Sequence, residues 1–280
     1  MSVKIIVDST VDVSARYSEK IRIVPLTVRF GENEYKDRVE LSAQAFYEKL
    51  VSSAVTPSTS QANISDFQKV IEEEINGSDE LIIITLSSKL SGTFNSAMIA
   101  AEDYHDRVFV VDSLSVSIGA GILAEFAVEL ARAGLNARGI VKRLRVEREN
   151  IKVIAMFDTL EYLKRGGRIS ATAAFAGSML SLKPIITVRD GEIVVLGKAR
   201  GSKHANSYLT NEIERAGGIN FNKPMLFGYT GFDDARLKSY MAESAHVYEG
   251  HSDEPDITIV GSVVGTHAGP GAIAIAFYTR

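Results

Sequence analysis

The chain has 280 residues and a net charge of −4, with 45% hydrophobic residues, 24% charged residues and no cysteine. This length allows one large domain or two moderate ones. The lack of cysteine excludes disulfides and cysteine-based zinc sites, and the acidic balance gives no electrostatic basis for binding nucleic acid. The first apolar run is too short for a signal peptide, and no segment has the roughly 18 uninterrupted apolar residues of a membrane span. We therefore expect a soluble cytoplasmic protein.

The first half of the chain alternates apolar runs with amphipathic segments. The predicted strands are VKIIVD (3–8), LIII (81–84), RVFVVDS (107–113) and IKVIAMF (151–157). A helix is predicted over 41–51 with Ser42 as its N-cap, and a second one begins at a capping box of Ser65 and Gln68. Buried strands that alternate with helices indicate a parallel sheet covered on both faces. We predict a three-layer α/β/α domain over residues 1–157.

The pattern changes in the second half. The segment IITVRDGEIVVLG has two β-branched runs around Asp190 and Gly191, which predicts a hairpin. A helix-like stretch (203–216) follows, and further strand-like and helix-like segments alternate up to the end of the chain. We predict a second α/β domain with a mixed sheet over residues 158–280. A ligand site is expected between the two domains, because interfaces of this kind are favoured places for pockets.

A hydroxyl-rich loop follows the buried strand LIII. In LSSKLSGTFNSA (86–97), Ser91, Gly92 and Thr93 stand where a helix begins. Backbone N–H groups and the helix dipole favour an anion at such a point. Neutral donors suit a carboxylate better than a triphosphate, and the spacing of a nucleotide-binding P-loop is missing. The alternative is that Ser91 or Thr93 only caps the helix.

Two more segments carry polar groups that could reach the same place. TPSTSQ contains Thr59 and Ser60, and alone it is no more than a polar connector between two units of the sheet. GTHAGPGA contains His267 among glycines, and alone it is typical of a surface turn before a strand. Asp8 and Asp112 each end an apolar strand, and we expect them to cap helices rather than to organise loops around a site.

Other interpretations are weaker. The five histidines lack H-x-H or H-E-x-x-H spacing, so we expect no metal site. A serine hydrolase using His267 and Asp112 is disfavoured because there is no G-x-S-x-G motif.

Arg168 and Arg200 lie in basic segments that could dock an acidic partner, although basic residues at a helix end are common. The apolar stretch 169–188 is either a buried helix and strand or the lining of an apolar cavity.

The ordered set of motifs resembles the DegV family, the fatty-acid-binding subunits of bacterial fatty acid kinase. The set comprises VDST, TSQ, LSGTFNSA, VDS, YLKRGGRIS, LKPI and GTHAGPGA, and it extends over essentially the whole chain. The resemblance implies two α/β domains with one long-chain fatty acid buried between them. It implies that Thr59 and Ser91 hold the carboxylate, with His267 close by and Ser60, Gly92 and Thr93 in the same loops.

The same resemblance implies how such a protein works. A separate ATP-dependent kinase subunit would phosphorylate the bound carboxylate, so this chain would be a carrier without catalytic activity or a cofactor of its own. Arg168 and Arg200 would help to dock that subunit, and transient contact with a membrane is allowed as a further interaction. Two alternatives stay open. One is a binder or enzyme for a small polar substrate that uses His267, as in the related dihydroxyacetone kinase subunit, and the other is a regulatory module that only binds lipid.

Overall fold

The computed structural model describes residues 2–77, 79–104, 106–170, 182–248 and 255–280. The strands are β1 (Val3–Asp8), β2 (Ile21–Val24), β3 (Thr27–Phe30), β4 (Asn33–Lys36), β5 (Ser58–Ser60), β6 (Glu80–Thr85), β7 (Val108–Asp112), β8 (Ile151–Met156), β9 (Leu182–Arg189), β10 (Glu192–Arg200), β11 (Leu226–Tyr229), β12 (Ile257–Ile259) and β13 (Ile273–Tyr278). The α-helices are α1 (Ala15–Ser18), α2 (Ala43–Ser52), α3 (Ile64–Glu74), α4 (Thr93–Ala100), α5 (Ile118–Arg132), α6 (Ala137–Glu147), α7 (Glu161–Arg165), α8 (Gly201–Arg215), α9 (Ala235–Glu243) and α10 (Ser262–Ala268). In the described ranges, no helix has the length and apolar character needed to cross a bilayer.

The first sheet is parallel, with the strand order β2-β1-β6-β7. Alternate side chains of its strands enter different cores. Ile82 and Ile84 pack with α5 and α6 on one face, whereas Leu81 and Ile83 pack with α2, α3 and α4 on the other. Because both faces are covered by helices, the inner strand β6 is apolar from Leu81 to Ile84. The predicted α/β/α arrangement of this part of the chain is confirmed.

A small antiparallel sheet, β4-β3-β5, lies beside the first sheet. The segment TPSTSQ, which the sequence suggests as a connector, contains strand β5, and Thr59 pairs with Val28 of β3. Three residues with short polar side chains give no apolar alternation, so the strand has no clear signal in the sequence. Pairing with β3 nevertheless fixes the direction in which Thr59 points.

The second sheet is mixed, with the order β10-β9-β8-β13-β11-β12. The predicted hairpin is confirmed: β9 and β10 are antiparallel, and Asp190 and Gly191 both have positive φ angles, 52° and 82°. At the tip of this hairpin, Ser87 Oγ donates to the carbonyl oxygen of Gly191 at 2.7 Å, which ties the second sheet to the loop that follows β6.

The assignment of the strand IKVIAMF to the first domain is wrong. Strand β8 pairs antiparallel with both β13 and β9, in the middle of the second sheet. An apolar run shows that a strand is buried on both faces, but it does not specify which strands lie beside it. The second sheet therefore takes its central strand from a segment that precedes the predicted boundary.

Helix α5 packs between the two sheets. Its residues from Ile118 to Val128 are all buried, and they contact strands of both sheets. Close packing at its start depends on glycine: a Cβ atom at Gly121 would overlap the backbone of Asp12, and one at Gly119 would overlap Val153. A helix that is apolar on all sides is expected in such a position.

The predicted helix starts are partly right. Ser42 is the N-cap of α2, and its side chain accepts from the N–H of Ala45 at 3.2 Å, as expected. The start of α3 is different, because Asn63 rather than Ser65 is its N-cap, and the N–H of Asn63 donates to Asp66 Oδ2 at 3.3 Å. The capping box lies two residues earlier than predicted.

Candidate ligand-binding site

A cavity of about 120 Å³ lies between the carboxyl edge of the first sheet and one face of the second sheet. Most of its lining is aliphatic, with Leu90, Ile118, Val153, Ile186, Val188 and Val263 among the side chains that form it. This volume is room for several water molecules, but apolar side chains outnumber polar ones in the wall. The wall suits an apolar ligand. Of the apolar stretch 169–188, Ile186 and Val188 line the cavity, and residues 171–181 lie outside the described residues.

The cavity exists because one row of the second sheet has almost no side-chain volume. Ala274 pairs with Ala155 on one side and with Gly228 on the other, so three small residues stand in line across β8, β13 and β11. All three line the cavity. The next residue of the row, Ile186 on β9, is large and is also part of the wall. The row leaves a trough across the sheet.

Polar groups gather at one part of the cavity wall. Thr59 Oγ1 and His267 Nε2 are 2.9 Å apart, although 208 positions separate them in the sequence. His267 lies in helix α10, which we call the His267 helix, and not in a surface turn as the sequence suggests. If the imidazole Nε2–H donates to Thr59, the hydroxyl hydrogen of Thr59 is available for a ligand oxygen. His267 would then orient Thr59 as a donor.

The imidazole of His267 is kept neutral. Burial and, to a smaller extent, the positive charge of Arg168 lower its pKa to about 4. Its Nδ1 atom has no hydrogen-bond partner among the described residues. Gly166 allows this tight packing, because a Cβ atom there would overlap Nδ1. A neutral ring can donate one hydrogen bond but cannot act as an ion-pair partner at neutral pH.

We expect the folded protein to keep His267 unprotonated from pH 8 down to pH 5. Its ring signals in NMR spectra, assigned with a His267→Gln variant, should stay constant over this range, whereas in urea the same ring should titrate near pH 6.5. Since the unfolded chain then binds a proton that the folded chain does not, acidification from about pH 6.5 to pH 4 should reduce stability through this group. A titration midpoint near 6.5 in the folded state would contradict this.

The loop of residues 86–92, called the serine loop here, supplies a second hydroxyl. Ser91 lines the cavity, and its Oγ accepts from the N–H of Thr93 at 3.2 Å and lies 2.9 Å from Thr93 Oγ1. Thr93 is fully buried and does not face the cavity, so its role is to orient Ser91. Gly92 is the N-cap of α4, and a Cβ atom there would overlap the side chain of Gln61.

Of the two candidate docking arginines, only Arg168 belongs to the cavity wall. Its Nε donates to the carbonyl oxygen of Leu90 at 3.1 Å, and its Nη1 donates to that of Gly166 at 2.6 Å. It therefore links the serine loop to the segment that packs against His267, and it brings a positive charge to the polar part of the cavity. Arg200 is exposed at the end of β10 and does not line the cavity.

The structure thus brings Thr59, Ser60, Ser91 and His267 to one cavity from three distant segments. Gln61 is also part of this wall, and sequence reasoning missed three further polar residues there, Thr10, Ser117 and Thr230. Gln61 lies directly after Thr59 and Ser60 in TSQ, so the motif carried a signal for it. Thr10 is the last residue of the VDST motif, whereas Ser117 follows strand β7 and Thr230 follows strand β11 with no distinctive pattern.

The expectation that Asp8 caps a helix is wrong. Its carboxylate accepts from the N–H groups of Thr10 at 2.9 Å and Leu86 at 2.7 Å, and so it joins the ends of β1 and β6. Asp112 similarly accepts from the N–H of Leu114 at 2.9 Å. Both residues organise loops at the carboxyl edge of the first sheet.

No cluster of three or more metal-ligating side chains is found in the described segments.

Comparison with known proteins places this architecture in a family. The family model described as "Uncharacterised protein, DegV family" matches residues 2–280. The chain belongs to the DegV family. A DegV domain-containing protein of Deinococcus radiodurans is 33% identical over 279 residues, which is 99% of this chain and 98% of the other. The resemblance inferred from the motifs is confirmed.

Solved structures of DegV proteins match the whole chain. A structure described as "Fatty Acid Binding of a DegV family Protein from Thermus thermophilus" has a TM-score of 0.88 and 31% identity, with complete coverage of both chains. The Fatty Acid Kinase B3 protein of Streptococcus pneumoniae, loaded with linoleic acid, has a TM-score of 0.86 and complete coverage of both chains. Its identity of 22% supports the shared DegV fold alone.

Proposed function

We propose that this chain binds a long-chain fatty acid in the cavity between its two sheets, with the carboxylate at Thr59, Ser91 and His267. The observation that carries this proposal is the cavity itself, which has a largely aliphatic wall, a contact between Thr59 and His267, and the hydroxyl residue Ser91 in the same wall. The fatty acid binding named for the Thermus thermophilus DegV protein supports the same ligand class.

The energetics are consistent with such a ligand. Burying a chain of about sixteen carbons contributes on the order of 10 kcal/mol, at roughly 0.8 kcal/mol per CH₂ group. The carboxylate must keep hydrogen bonds when it leaves water, since otherwise its pKa rises and it binds in the neutral form. The hydroxyls of Thr59 and Ser91 supply donors, and the charge of Arg168 in the same wall favours the ionised form.

The test is direct. The purified protein is extracted with organic solvent, and the extract is analysed by mass spectrometry, after which the delipidated protein is titrated with palmitate and oleate. We expect a co-purified or added fatty acid in about one copy per chain. If no lipid is found and no fatty acid is taken up, the proposal fails, and binding of a small polar carbonyl compound at His267 becomes the better interpretation.

We further propose that a separate kinase subunit acts on the bound carboxylate in the cytoplasm. The hydroxyl end of the cavity is near the surface, because Ser60 and Gln61 are exposed while Thr59 is half-buried. A carboxylate oxygen would attack the γ-phosphorus of ATP, with ADP as the leaving group and an acyl phosphate as the product. The chain has no P-loop spacing of its own, so the nucleotide would be bound by the partner. Arg168 and Arg200 are the candidates for docking it.

This second step has its own experiment. The fatty-acid-loaded protein is mixed with a purified ATP-dependent fatty acid kinase subunit and ATP, and hydroxylamine converts any acyl phosphate to a hydroxamate for detection. We expect hydroxamate only when both proteins and ATP are present, and less of it with Arg200→Ala. If fatty acid binds tightly and no active kinase subunit yields hydroxamate, the chain is a regulatory lipid-binding module.

A further inference from the structure

The His267 helix is held at its start by side chains from the first half of the chain. The hydroxyl of Tyr47 donates to the carbonyl oxygen of Val260 at 3.0 Å, and the N–H of Gly261 donates to Asp12 Oδ1 at 3.0 Å. Val260 and Gly261 directly precede the helix, and Gly261 is its N-cap. Two neighbouring backbone groups are thus bound by residues more than 200 positions away.

Asp12 is itself fixed in place. Its side chain is fully buried, Oδ2 accepts from Ser117 Oγ at 2.6 Å, and Oδ1 forms an ion pair with Arg38. Arg38 Nε also donates to the carbonyl oxygen of Ser9 at 3.0 Å. Burial raises the pKa of Asp12, and the charge of Arg38 opposes this rise. A buried carboxylate with donors on both oxygens has little freedom to move.

The body of the helix is packed as tightly as its start. Gly265 faces α2, where a Cβ atom would stand only 2.7 Å from the hydroxyl of Tyr47 and 2.8 Å from the ring of Phe46. The helix has only seven residues, and His267 lies near its far end. Since a helix this short moves as a rigid unit, a shift of its first residues displaces the imidazole ring.

We propose that Asp12 is a positioning residue for ligand binding: through the N–H of Gly261 it fixes the His267 helix against the first half of the chain, and so it sets the contact of His267 with Thr59. Neither the motifs nor the fold assigns this role to Asp12, which does not touch the ligand cavity. The inference rests on the proposed function for its affinity measurement only, because the position of the His267 ring can be observed without ligand.

The central experiment compares Asp12→Ala with Asp12→Asn. Alanine removes the acceptor for Gly261, whereas asparagine keeps a carbonyl oxygen at the same place. We expect Asp12→Ala to shift the His267 ring signals in NMR spectra, to raise the pKa of the ring as it becomes exposed, and to weaken palmitate binding at least tenfold. In Asp12→Asn, the His267 ring signals should stay close to their positions in the unaltered protein, and most of the palmitate affinity should be retained.

Glu125→Ala is the matched control. Glu125 is also buried, with 2% of its surface exposed, and its carboxylate accepts from the N–H of Ser14 at 2.7 Å, away from the His267 helix. This variant should lose stability while His267 and palmitate affinity stay unchanged. If Asp12→Ala fails to fold, Tyr47→Phe removes the other bond to the helix start, and the same displacement of the ring signals is expected.

The outcomes separate the two hypotheses. The NMR signals of His267 should stay unchanged in Glu125→Ala. If they also stay unchanged in Asp12→Ala, or in Tyr47→Phe where that variant replaces it, the positioning role is wrong, whatever the ligand. If the ring signals shift as expected but even the unaltered protein does not bind palmitate, the positioning role stands and the proposed ligand is wrong.

Discussion

A double variant, Thr59→Ala with Ser91→Ala, is expected to weaken fatty acid binding by about 10² to 10⁴-fold. A hydrogen bond to a charged group contributes about 1.5–3 kcal/mol, and the variant removes two hydroxyl donors from a poorly solvated place. Every 1.4 kcal/mol corresponds to about a tenfold change in the dissociation constant. Titration of the delipidated protein with a fluorescent fatty acid, competed by palmitate, measures the effect.

Ser88→Ala is the control for this loss. Ser88 belongs to the same serine loop, but its side chain is exposed and does not line the cavity. Its removal should leave the affinity for palmitate unchanged. An unaltered affinity in the double variant would mean that the carboxylate is bound at another place, and a methyl ester that binds as tightly as the free acid to the unaltered protein would lead to the same conclusion.

Ala274→Leu is expected to abolish binding of long-chain fatty acids. Ala274 is the middle residue of the small row Ala155–Ala274–Gly228, and it faces the cavity. A leucine there adds three carbon atoms to the trough in which the hydrocarbon chain would lie. Since the new side chain fills empty space, the ligand-free protein should not lose stability. Palmitate binding and thermal unfolding, measured on the same delipidated sample, test both statements.

Ala199→Leu makes the same change on the opposite face of the second sheet, where Ala199 packs against the core on the far side from the cavity. Fatty acid binding should persist in this control. If Ala274→Leu binds palmitate as well as the unaltered protein does, the hydrocarbon chain does not cross the row, and the cavity described here is not its binding site.

The site could be anticipated because its polar residues lie in short motifs with a physical signal. Ser91 and Gly92 lie between the carboxyl end of a buried strand and the start of a helix. Ligands of parallel α/β sheets bind at this edge. Asp190 and Gly191 predict a hairpin because both residues tolerate positive φ angles, and the structure has them so. The role of Asp8 does not follow from the sequence, because an aspartate at the end of a strand can either cap a helix or accept hydrogen bonds from neighbouring loops.

The features of the fold and of the site that the sequence does not predict depend on contacts between distant segments. The run IKVIAMF predicts a buried strand, but only the structure reveals that it lies between β13 and β9. The small row is invisible in the sequence for the same reason: Ala155, Gly228 and Ala274 are ordinary residues until the register of three strands brings them into line. The helical form of the segment with His267 also escaped, because glycines at both of its ends resemble a turn.

The position of helix α5 constrains how the molecule can open. Its buried residues Ile118 to Val128 give both sheets a common interior, so pulling the halves apart would expose the apolar side chains of this segment to water. A hinge between two independent lobes is therefore a costly route for admitting a lipid. A local displacement of the elements that cover the small row of the second sheet would admit a lipid without exposing this shared interior to water. For the same reason, the chain should not divide into two separately stable fragments at residue 157.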